Sequence, residues 1–463
     1  MKWYLVGALC FVMGACDPHQ SQSHDEPLNV FFEAAHEMEK SDSPWHVGAP
    51  RVSSAMDWAN DPDEITQVEE RRLPLLPLAG KAEHIPWSDT YWPKYKGGIG
   101  QRWSTPDMTR EPPTSPSEAL SWTQEELSGL SPSEKYDLYV GNYNYSLSNV
   151  TESANRPDTA EWQGYCHGWA MAAIHFKEPS PVTLTNPDGV AIPFGSSDIK
   201  ALLTFYQGEV TRSEFGTSVL PFTTDVKSGG GVCISNKPMD TNCSDSNPAM
   251  FHLVMTNHLG IHGRAFGIDA TVTREKWNQP VYAYESHLLG EREPREVALP
   301  EAVKEVLVRS EVTYTMEIEP QWQPVLSTEH QHQVTKTYTY TLELNAHDEI
   351  IGGQWVLFLD FDHTPTLEQA WTFLTNADDD EDGIADHDEA ESISIMWAAF
   401  DFPDYVWFQE RAPFAETFKP AWNAYAFLSN NASSRKDLWH YFAHLNDIYE
   451  ASIALPEVEN EGL

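Results

Sequence analysis

Cys166 is the residue in this chain whose type and setting best suit covalent chemistry. The apolar residues after it recur at helical spacing and form one face of a buried helix: Trp169, Ala172, Ala173 and Phe176. Cys166 then lies in the first turn, where unpaired backbone N–H groups and the helix dipole favour a thiolate. The same N–H groups can hold the oxyanion that forms when sulfur attacks a carbonyl. The alternative is a structural cysteine, because free Cys is common in cores.

A thiolate nucleophile needs a base, and the base needs an orienting partner. The segments around His252 and Asp269 both have the apolar character of strands, and the eight residues between the two strands include two glycines, which predicts a hairpin. Symmetric pairing places His252 opposite Asp269, where directly opposed Cβ atoms are roughly 4.5–5.5 Å apart. His258 and His262 fall in the connecting loop and are expected to be solvated. The sequence therefore predicts a Cys166–His252–Asp269 triad, with a half-buried structural His252 as the alternative.

An ordered series of blocks between about residues 90 and 410 resembles the transglutaminase elicitor family of oomycetes and some bacteria. The blocks lie at 92–95, 102–103, 130–137, 162–170, 198–203, 247–252, 268–271, 275–281, 350–355 and 404–407. The most specific is 275–281, which reads EKWNQPV and resembles the core of the peptide by which plants recognise these enzymes. The lipobox-like start of the chain departs from the family, so a wall or plant-recognition role does not transfer.

The resemblance implies a papain-like transglutaminase acting on protein substrates that bear Gln and Lys, or on small amines. Cys166 would attack the γ-carboxamide of a peptide-bound Gln, release ammonia and form a thioester, which a Lys amine converts to an isopeptide bond. His252 would shuttle the protons and Asp269 would orient it. Trp277 and Asn278 would lie near the site or, as we prefer here, in a structural loop after Asp269.

Two other functions share these residues. A papain-like cysteine protease or a glutamine deamidase uses the same triad with water as the acceptor, and sequence does not show how a site excludes water. A calcium-binding surface lipoprotein with an inactive site is the third hypothesis. The complete set of Cys166, His252 and Asp269 argues against it.

An acidic run at residues 376–389 is the sharpest compositional feature of the chain. Its carboxylates fall at positions 1, 3, 5, 9 and 12 of a calcium loop: Asp378, Asp380, Asp382, Asp386 and Glu389. Gly383 permits the sharp turn that such a loop needs. We predict Ca²⁺ as a cofactor bound in an insertion near 364–400, with a solvated acidic run as the alternative.

The other cysteines suit an exported protein. Residues 1–15 combine one lysine, an apolar run and small residues, which predicts an export signal. Residues 13–16 resemble a bacterial lipobox, so Cys16 is predicted to carry the lipid, the alternative being an ordinary cleaved signal. Cys233 and Cys243 lie in one polar loop and are predicted to form a local disulfide. The protein is then lipid-anchored to the bacterial cell envelope, touching the membrane only through that anchor, or is secreted.

The composition of the chain limits its fold class and its partners. The 463 residues carry 29 Lys and Arg against 70 Asp and Glu, a net charge of −41 that excludes a nucleic-acid surface. Apolar residues at 41% and aromatics at 12% supply a core. Period-two alternation in 337–344 predicts sheet. We predict an α+β fold with a papain-like cysteine core, an antiparallel sheet and added helices. Its parts are a polar tether at 16–85, a catalytic domain at 86–415 and a helical extension with an acidic tail at 416–463.

Overall fold

The structure is a computed structural model that describes residues 55–56, 59–155, 157–213, 222–230, 246–270, 276–295, 298–355, 402–420 and 432–454. Several predictions of the sequence lie outside these residues: the leader, Cys16, the Cys233–Cys243 pair and the calcium loop. The described part combines helices with a largely antiparallel sheet, so the predicted α+β class is confirmed. Within it, no helix has the length and apolar character needed to span a membrane.

The sheet is built around three long neighbouring strands. The strands are β1 (Ala79–Lys81), β2 (Val182–Thr185), β3 (Ala191–Phe194), β4 (Arg212–Ser213), β5 (Thr224–Gly229), β6 (Phe266–Asp269), β7 (Asn278–Arg292), β8 (Lys304–Thr315), β9 (Gln333–Leu344), β10 (Ile350–Trp355) and β11 (Val406–Gln409). The main sheet has the order β10-β9-β8-β7-β6-β11-β5-β4, with β1 also beside β7, and β2 and β3 form a separate hairpin. Its pairs are antiparallel except β4 with β5. The period-two pattern of 337–344 falls within β9, as predicted.

The helices precede, interrupt and follow the sheet. They are α1 (Pro116–Ala119), α2 (Gln124–Ser128), α3 (Pro132–Tyr139), α4 (Ser146–Ala154), α5 (Cys166–His175), α6 (Ser196–Phe205), α7 (Pro248–Val254), α8 (Ala432–Tyr441) and α9 (Leu445–Ile453). One-turn π-helical segments extend α6 through Tyr206–Val210 and α7 through Met255–Ile261. Such wide turns are uncommon and often lie near functional sites.

Two apolar cores share the α5 helix between them. One core packs α7 and one face of α5 against the sheet, and it includes Met171, Phe251 and Tyr340. The other core gathers the opposite face of α5, α6 and the C-terminal helices, and it includes Trp169 and Tyr441. Every residue of α5 apart from two histidines is buried, which explains why its other residues are apolar or small. The helix that carries the candidate nucleophile is therefore fixed from both sides.

The hairpin predicted for 247–272 is wrong in its first half. Residues Pro248–Val254 form α7 instead of a strand. Asn247 caps this helix by accepting the backbone N–H of Ala249 at 2.8 Å, and Pro248 occupies a first-turn position where its missing N–H costs nothing. His258, which was expected in a solvated loop, is buried in the π-helical extension and bonds Thr66 through Nδ1 at 3.0 Å.

The polar tether predicted for 16–85 is wrong for its final third. Residues Ile65, Leu73 and Leu76 are buried in the core that underlies the sheet. Strand β1 adds to β7, with Gly80 opposite Tyr284. The segment is polar on average, and Leu75 and Leu78 are exposed, but Ile65, Leu73 and Leu76 point inward, so residues 59–85 are an integral layer of the fold.

Candidate active site

The α5 helix begins at Cys166, in agreement with the helical prediction. Tyr165 precedes the helix and donates its backbone N–H to the carbonyl of Tyr91 at 2.6 Å. Gly164 has no room for a side chain, since a Cβ there would lie 2.5 Å from the Tyr91 carbonyl oxygen. The close approach of these two segments fixes the start of the helix, and with it the position of the sulfur.

Two residues hydrogen-bond the Cys166 sulfur, and a third orients one of them. The thiol donates to the backbone carbonyl of Lys276 at 3.4 Å, and the Asn278 side-chain Nδ2 donates to the sulfur at 3.4 Å. The Tyr405 hydroxyl donates to Asn278 Oδ1 at 2.8 Å. This last bond turns the amide so that its N–H faces the sulfur. A side chain that donates to sulfur stabilises a thiolate, so Asn278 is part of the site.

Asp269 holds the loop that brings Asn278 to the sulfur. Asp269 ends β6 and lies in register opposite Asn278, the first residue of β7. Its Oδ1 accepts the backbone N–H of Trp277 at 3.0 Å, and its own N–H bonds the carbonyl of Tyr405. The carboxylate is fully buried. Asp269 thus supports the 276–278 segment that lies beside the thiol, whereas the sequence predicted that it would orient His252.

His252 does not make the predicted cross-strand contact with Asp269. It lies on α7, fully buried, and its Nδ1 bonds the hydroxyl of Tyr340 at 2.8 Å. Its Nε2 has no hydrogen-bond partner among the described residues. The prediction of an imidazole–carboxylate pair is wrong because Asn247 and Pro248 start a helix where a strand was expected, and Asn278 occupies the position opposite Asp269.

The pKa of the Cys166 thiol is raised above its ordinary value, chiefly because the group is buried. Hydrogen bonds from the Asn278 side chain and backbone N–H act in the opposite direction and lower this pKa. The negative charges of Glu317 and Asp269 raise it further. Burial and the nearby carboxylates therefore favour the protonated thiol, whereas the Asn278 donors favour the thiolate.

The histidine beside the nucleophile faces another partner. His167 Nε2 lies 3.1 Å from Glu209 Oε1. Trp277, which precedes Asn278, meets Tyr91 edge to face at 5.7 Å between ring centroids. Among the described residues, no cluster of three or more His, Cys, Asp or Glu side chains has the geometry to hold a metal ion.

Sequence reasoning placed Asn278 in a structural loop and gave Tyr405 and Glu317 no role. Both Asn278 and Tyr405 lie within blocks that carry the family resemblance, 275–281 and 404–407, which was the available signal. Glu317 lies in no such block, and only the folded sheet brings it near the thiol.

The sequence profile of the family described as transglutaminase elicitor matches residues 154–380. Among solved structures, the chain is similar to the crystal structure of the GP42 transglutaminase from Phytophthora sojae, with 19% sequence identity and a TM-score of 0.51. The likeness covers 83% of this chain and 94% of that chain. The comparison with curated proteins finds no match.

The matched segment contains Cys166, Asn278, which donates to its sulfur, and Asp269, which lies in register opposite Asn278. At this level of identity, the structural likeness shows the fold alone. The sequence match over residues 154–380 and the shared fold together confirm the resemblance to the transglutaminase elicitor family.

Proposed function

We propose that this protein is a thiol-dependent acyltransferase of the transglutaminase type, with Cys166 as its nucleophile. The observation that carries the proposal is the Cys166 sulfur at the start of a buried helix, with a donor amide from Asn278 on it. The family match and the fold shared with a protein named as a transglutaminase support this choice of chemistry.

In the proposed reaction the Cys166 sulfur attacks the γ-carboxamide carbon of a peptide-bound Gln. The thiol proton ends on the leaving nitrogen, ammonia departs and a thioester remains. A primary amine then attacks the thioester, the C–S bond breaks and an isopeptide bond forms. The backbone N–H groups in the first turn of α5 are free of intrahelical partners and can stabilise the oxyanion in both steps.

The raised pKa of the thiol means that the substrate must help to form the thiolate. Burial raises the pKa of the Cys166 thiol, and nearby carboxylates raise it further. The donors on Asn278 are pre-organised for the thiolate and need no rearrangement when it forms. A substrate that displaces the Lys276 carbonyl from the thiol would leave these donors on the sulfur.

The function is tested with purified protein, a Gln-containing casein and a fluorescent primary amine. We expect amine incorporation in the native protein and its loss in Cys166→Ala. Ammonia release without incorporation would indicate a deamidase, and peptide cleavage a protease. An absence of thiol-dependent chemistry in the native protein, with the fold intact by circular dichroism, would contradict the proposal.

We also propose that Ca²⁺ binds the acidic loop at 378–389 and that Cys16 carries a lipid. The spacing of the carboxylates supports the first and the lipobox-like residues 13–16 support the second. Calorimetric titration of Ca²⁺ into the native protein and into Asp380→Asn with Asp382→Asn tests the loop. The mass of the mature N-terminal peptide, with Cys16→Ser as control, tests the anchor.

A further inference from the structure

A second carboxylate, Glu317, lies close enough to Cys166 for its charge to act on the thiol. Glu317 follows β8, and its two carboxylate oxygens accept hydrogen bonds from Gln279 Nε2 at 3.1 and 3.0 Å. Gln279 is the residue after Asn278, the amide donor on the sulfur. Among charged groups, Glu317 raises the pKa of Cys166 more strongly than Asp269 does. This carboxylate has no part in the acylation chemistry described above.

Glu317 lacks a cationic partner within the described part of the chain. Two carboxylates with buried side chains have one: Asp198 pairs with Lys135 at 2.5 Å, and Glu178 pairs with Lys200 at 2.6 Å. For Glu317, burial raises the pKa to about 7, opposed by the bonds from Gln279 and from the backbone. A carboxylate desolvated without a cation is costly, so a bound cation would stabilise it.

Gln279 offers a second acceptor at the same place. Its side chain is almost fully buried, and its Oε1 has no hydrogen-bond partner among the described residues. The bonds of Nε2 to a carboxylate fix which end of the amide is the oxygen. A buried acceptor without a partner costs free energy that a ligand N–H recovers. An ammonium group has three N–H donors and can use both acceptors.

We propose that Glu317 and Gln279 bind the ammonium group of the acyl-acceptor substrate, a primary alkylamine such as a lysine side chain. This inference rests on the proposed acyl transfer and adds the residues that favour an amine over water. Glu317 is partly exposed, so a substrate can reach it. The charge of −41 on the whole chain also favours the approach of cationic substrates.

The proton balance of the second half-reaction follows from this assignment. The ammonium gives one proton to the Glu317 carboxylate, and the neutral amine nitrogen attacks the thioester carbonyl. The C–S bond breaks, a second N–H proton ends on the Cys166 sulfur, and the third stays on the new amide. Glu317 then returns its proton to solvent. Its pKa of about 7 suits such a transfer near neutral pH.

The assignment also couples the two substrates. The Glu317 charge raises the pKa of the Cys166 thiol, so an ammonium that neutralises this charge lowers the same pKa. Binding of an amine should therefore make the thiol more reactive before any acyl donor is present. This consequence does not depend on transglutaminase turnover.

The test compares the native protein with Glu317→Gln at pH 8, using n-butylamine as the probe. We expect n-butylamine to accelerate alkylation of Cys166 by iodoacetamide several-fold in the native protein and not in the variant. In turnover assays, we expect the KM for the amine to rise about tenfold or more in the variant. Ammonia release without amine should rise rather than fall in this variant, because loss of the Glu317 charge lowers the pKa of the Cys166 thiol. Glu319→Gln, exposed and two residues away, is the matched control and should behave as native.

The outcomes separate this inference from the proposed function. A native protein that incorporates amine while Glu317→Gln keeps its KM overturns the inference and leaves the function standing. A native protein without turnover, whose alkylation still responds to amine only when Glu317 is present, has an amine site and lacks the proposed activity. Should Glu317→Gln fail to fold, Glu317→Asp takes its place, since it retains the charge on a shorter side chain. A native protein whose alkylation does not respond to amine overturns the inference, whatever Glu319→Gln does.

Discussion

At the residue scale, the site depends on how one amide is oriented. Tyr405 donates to Asn278 Oδ1, and Asn278 in turn donates to the Cys166 sulfur. This chain of bonds opposes the burial and negative charge that raise the pKa of the thiol. Asn278 is therefore the residue whose removal should change the thiol most without touching the sulfur itself.

We expect Asn278→Ala to raise the pKa of Cys166 further. A hydrogen bond to a charged group contributes about 1.5–3 kcal/mol, which corresponds to a shift of about one to two pH units. The rate of Cys166 alkylation measured against pH reports this change. Tyr405→Phe, which keeps the ring and loses only the orienting bond, should shift the profile less and in the same direction. An unchanged profile in Asn278→Ala would remove Asn278 from the site.

His252 provides a test of the corrected assignment. Because it contacts Tyr340 and not the thiol, His252→Gln should retain ammonia release within about threefold of native while lowering stability at pH 7 by about 1 kcal/mol. A folded His252→Gln protein with thousandfold lower activity would instead return His252 to a catalytic role.

The stability of the native protein and that of His252→Gln should depend differently on pH. Burial lowers the pKa of His252 to about 3, so the fold prefers the neutral imidazole. The stabilisation is complete above the unfolded pKa of about 6.5 and is lost as the pH falls toward 3. Relative to His252→Gln, the native protein should lose about 2 kcal/mol between pH 7 and pH 5. Urea unfolding of both proteins at the two pH values measures this difference.

At the element scale, the site requires α5 to pack closely on α6. Gly168, two residues after Cys166 in the first turn of α5, would place a Cβ 2.2 Å from the backbone oxygen of Thr204 and 3.1 Å from the Cα of Gly208. The obstacle is backbone and cannot rotate away. The glycine therefore sets the distance between the helix that carries the sulfur and its neighbour.

Gly168→Ala should lower the free energy of unfolding by about 3 kcal/mol, at the upper end of the range for overpacked cores. Gly290→Ala is the matched control, because nothing lies within 4 Å of a Cβ there and its backbone is not left-handed. We expect the control to change stability by no more than about 0.5 kcal/mol. Equal urea midpoints for the two variants would contradict the packing argument.

The elements also show what the sequence could predict. The helix at Cys166 is predictable because its apolar residues repeat over three turns. Strand β9 is predictable because apolar and polar residues alternate over 337–344. The segment after Asn247 was mistaken for a strand because seven helical residues, all buried, leave no polar face to reveal the period. The cap at Asn247 and the proline after it were the signals for a helix. Glu317 could not be predicted, because its place near Cys166 depends on the register of β7 with β8.

At the scale of the whole molecule, the N-terminal segment and the sheet form one body. Residues 59–85 contribute buried side chains to the core beneath the sheet, and β1 extends it beside β7. His258 in the α7 extension bonds Thr66, and Asn257 accepts the backbone N–H of Glu69 at 2.9 Å. The mean polarity of this segment concealed its role, since a few inward apolar residues decide whether a segment is packed.

The short 3₁₀ turn at Leu73–Leu75 allows a sharp test of this role, because its two leucines lie in opposite environments. Leu73 is 3% exposed and belongs to the core, whereas Leu75 is 58% exposed. Leu73→Ala should lower the free energy of unfolding by about 2–5 kcal/mol, since it removes buried methyl groups and leaves a cavity. Leu75→Ala should change it by no more than about 0.5 kcal/mol. Urea midpoints decide the matter: if the two variants unfold together near the native midpoint, residues 59–85 are a tether after all, and the sheet must hold the thiol site without them.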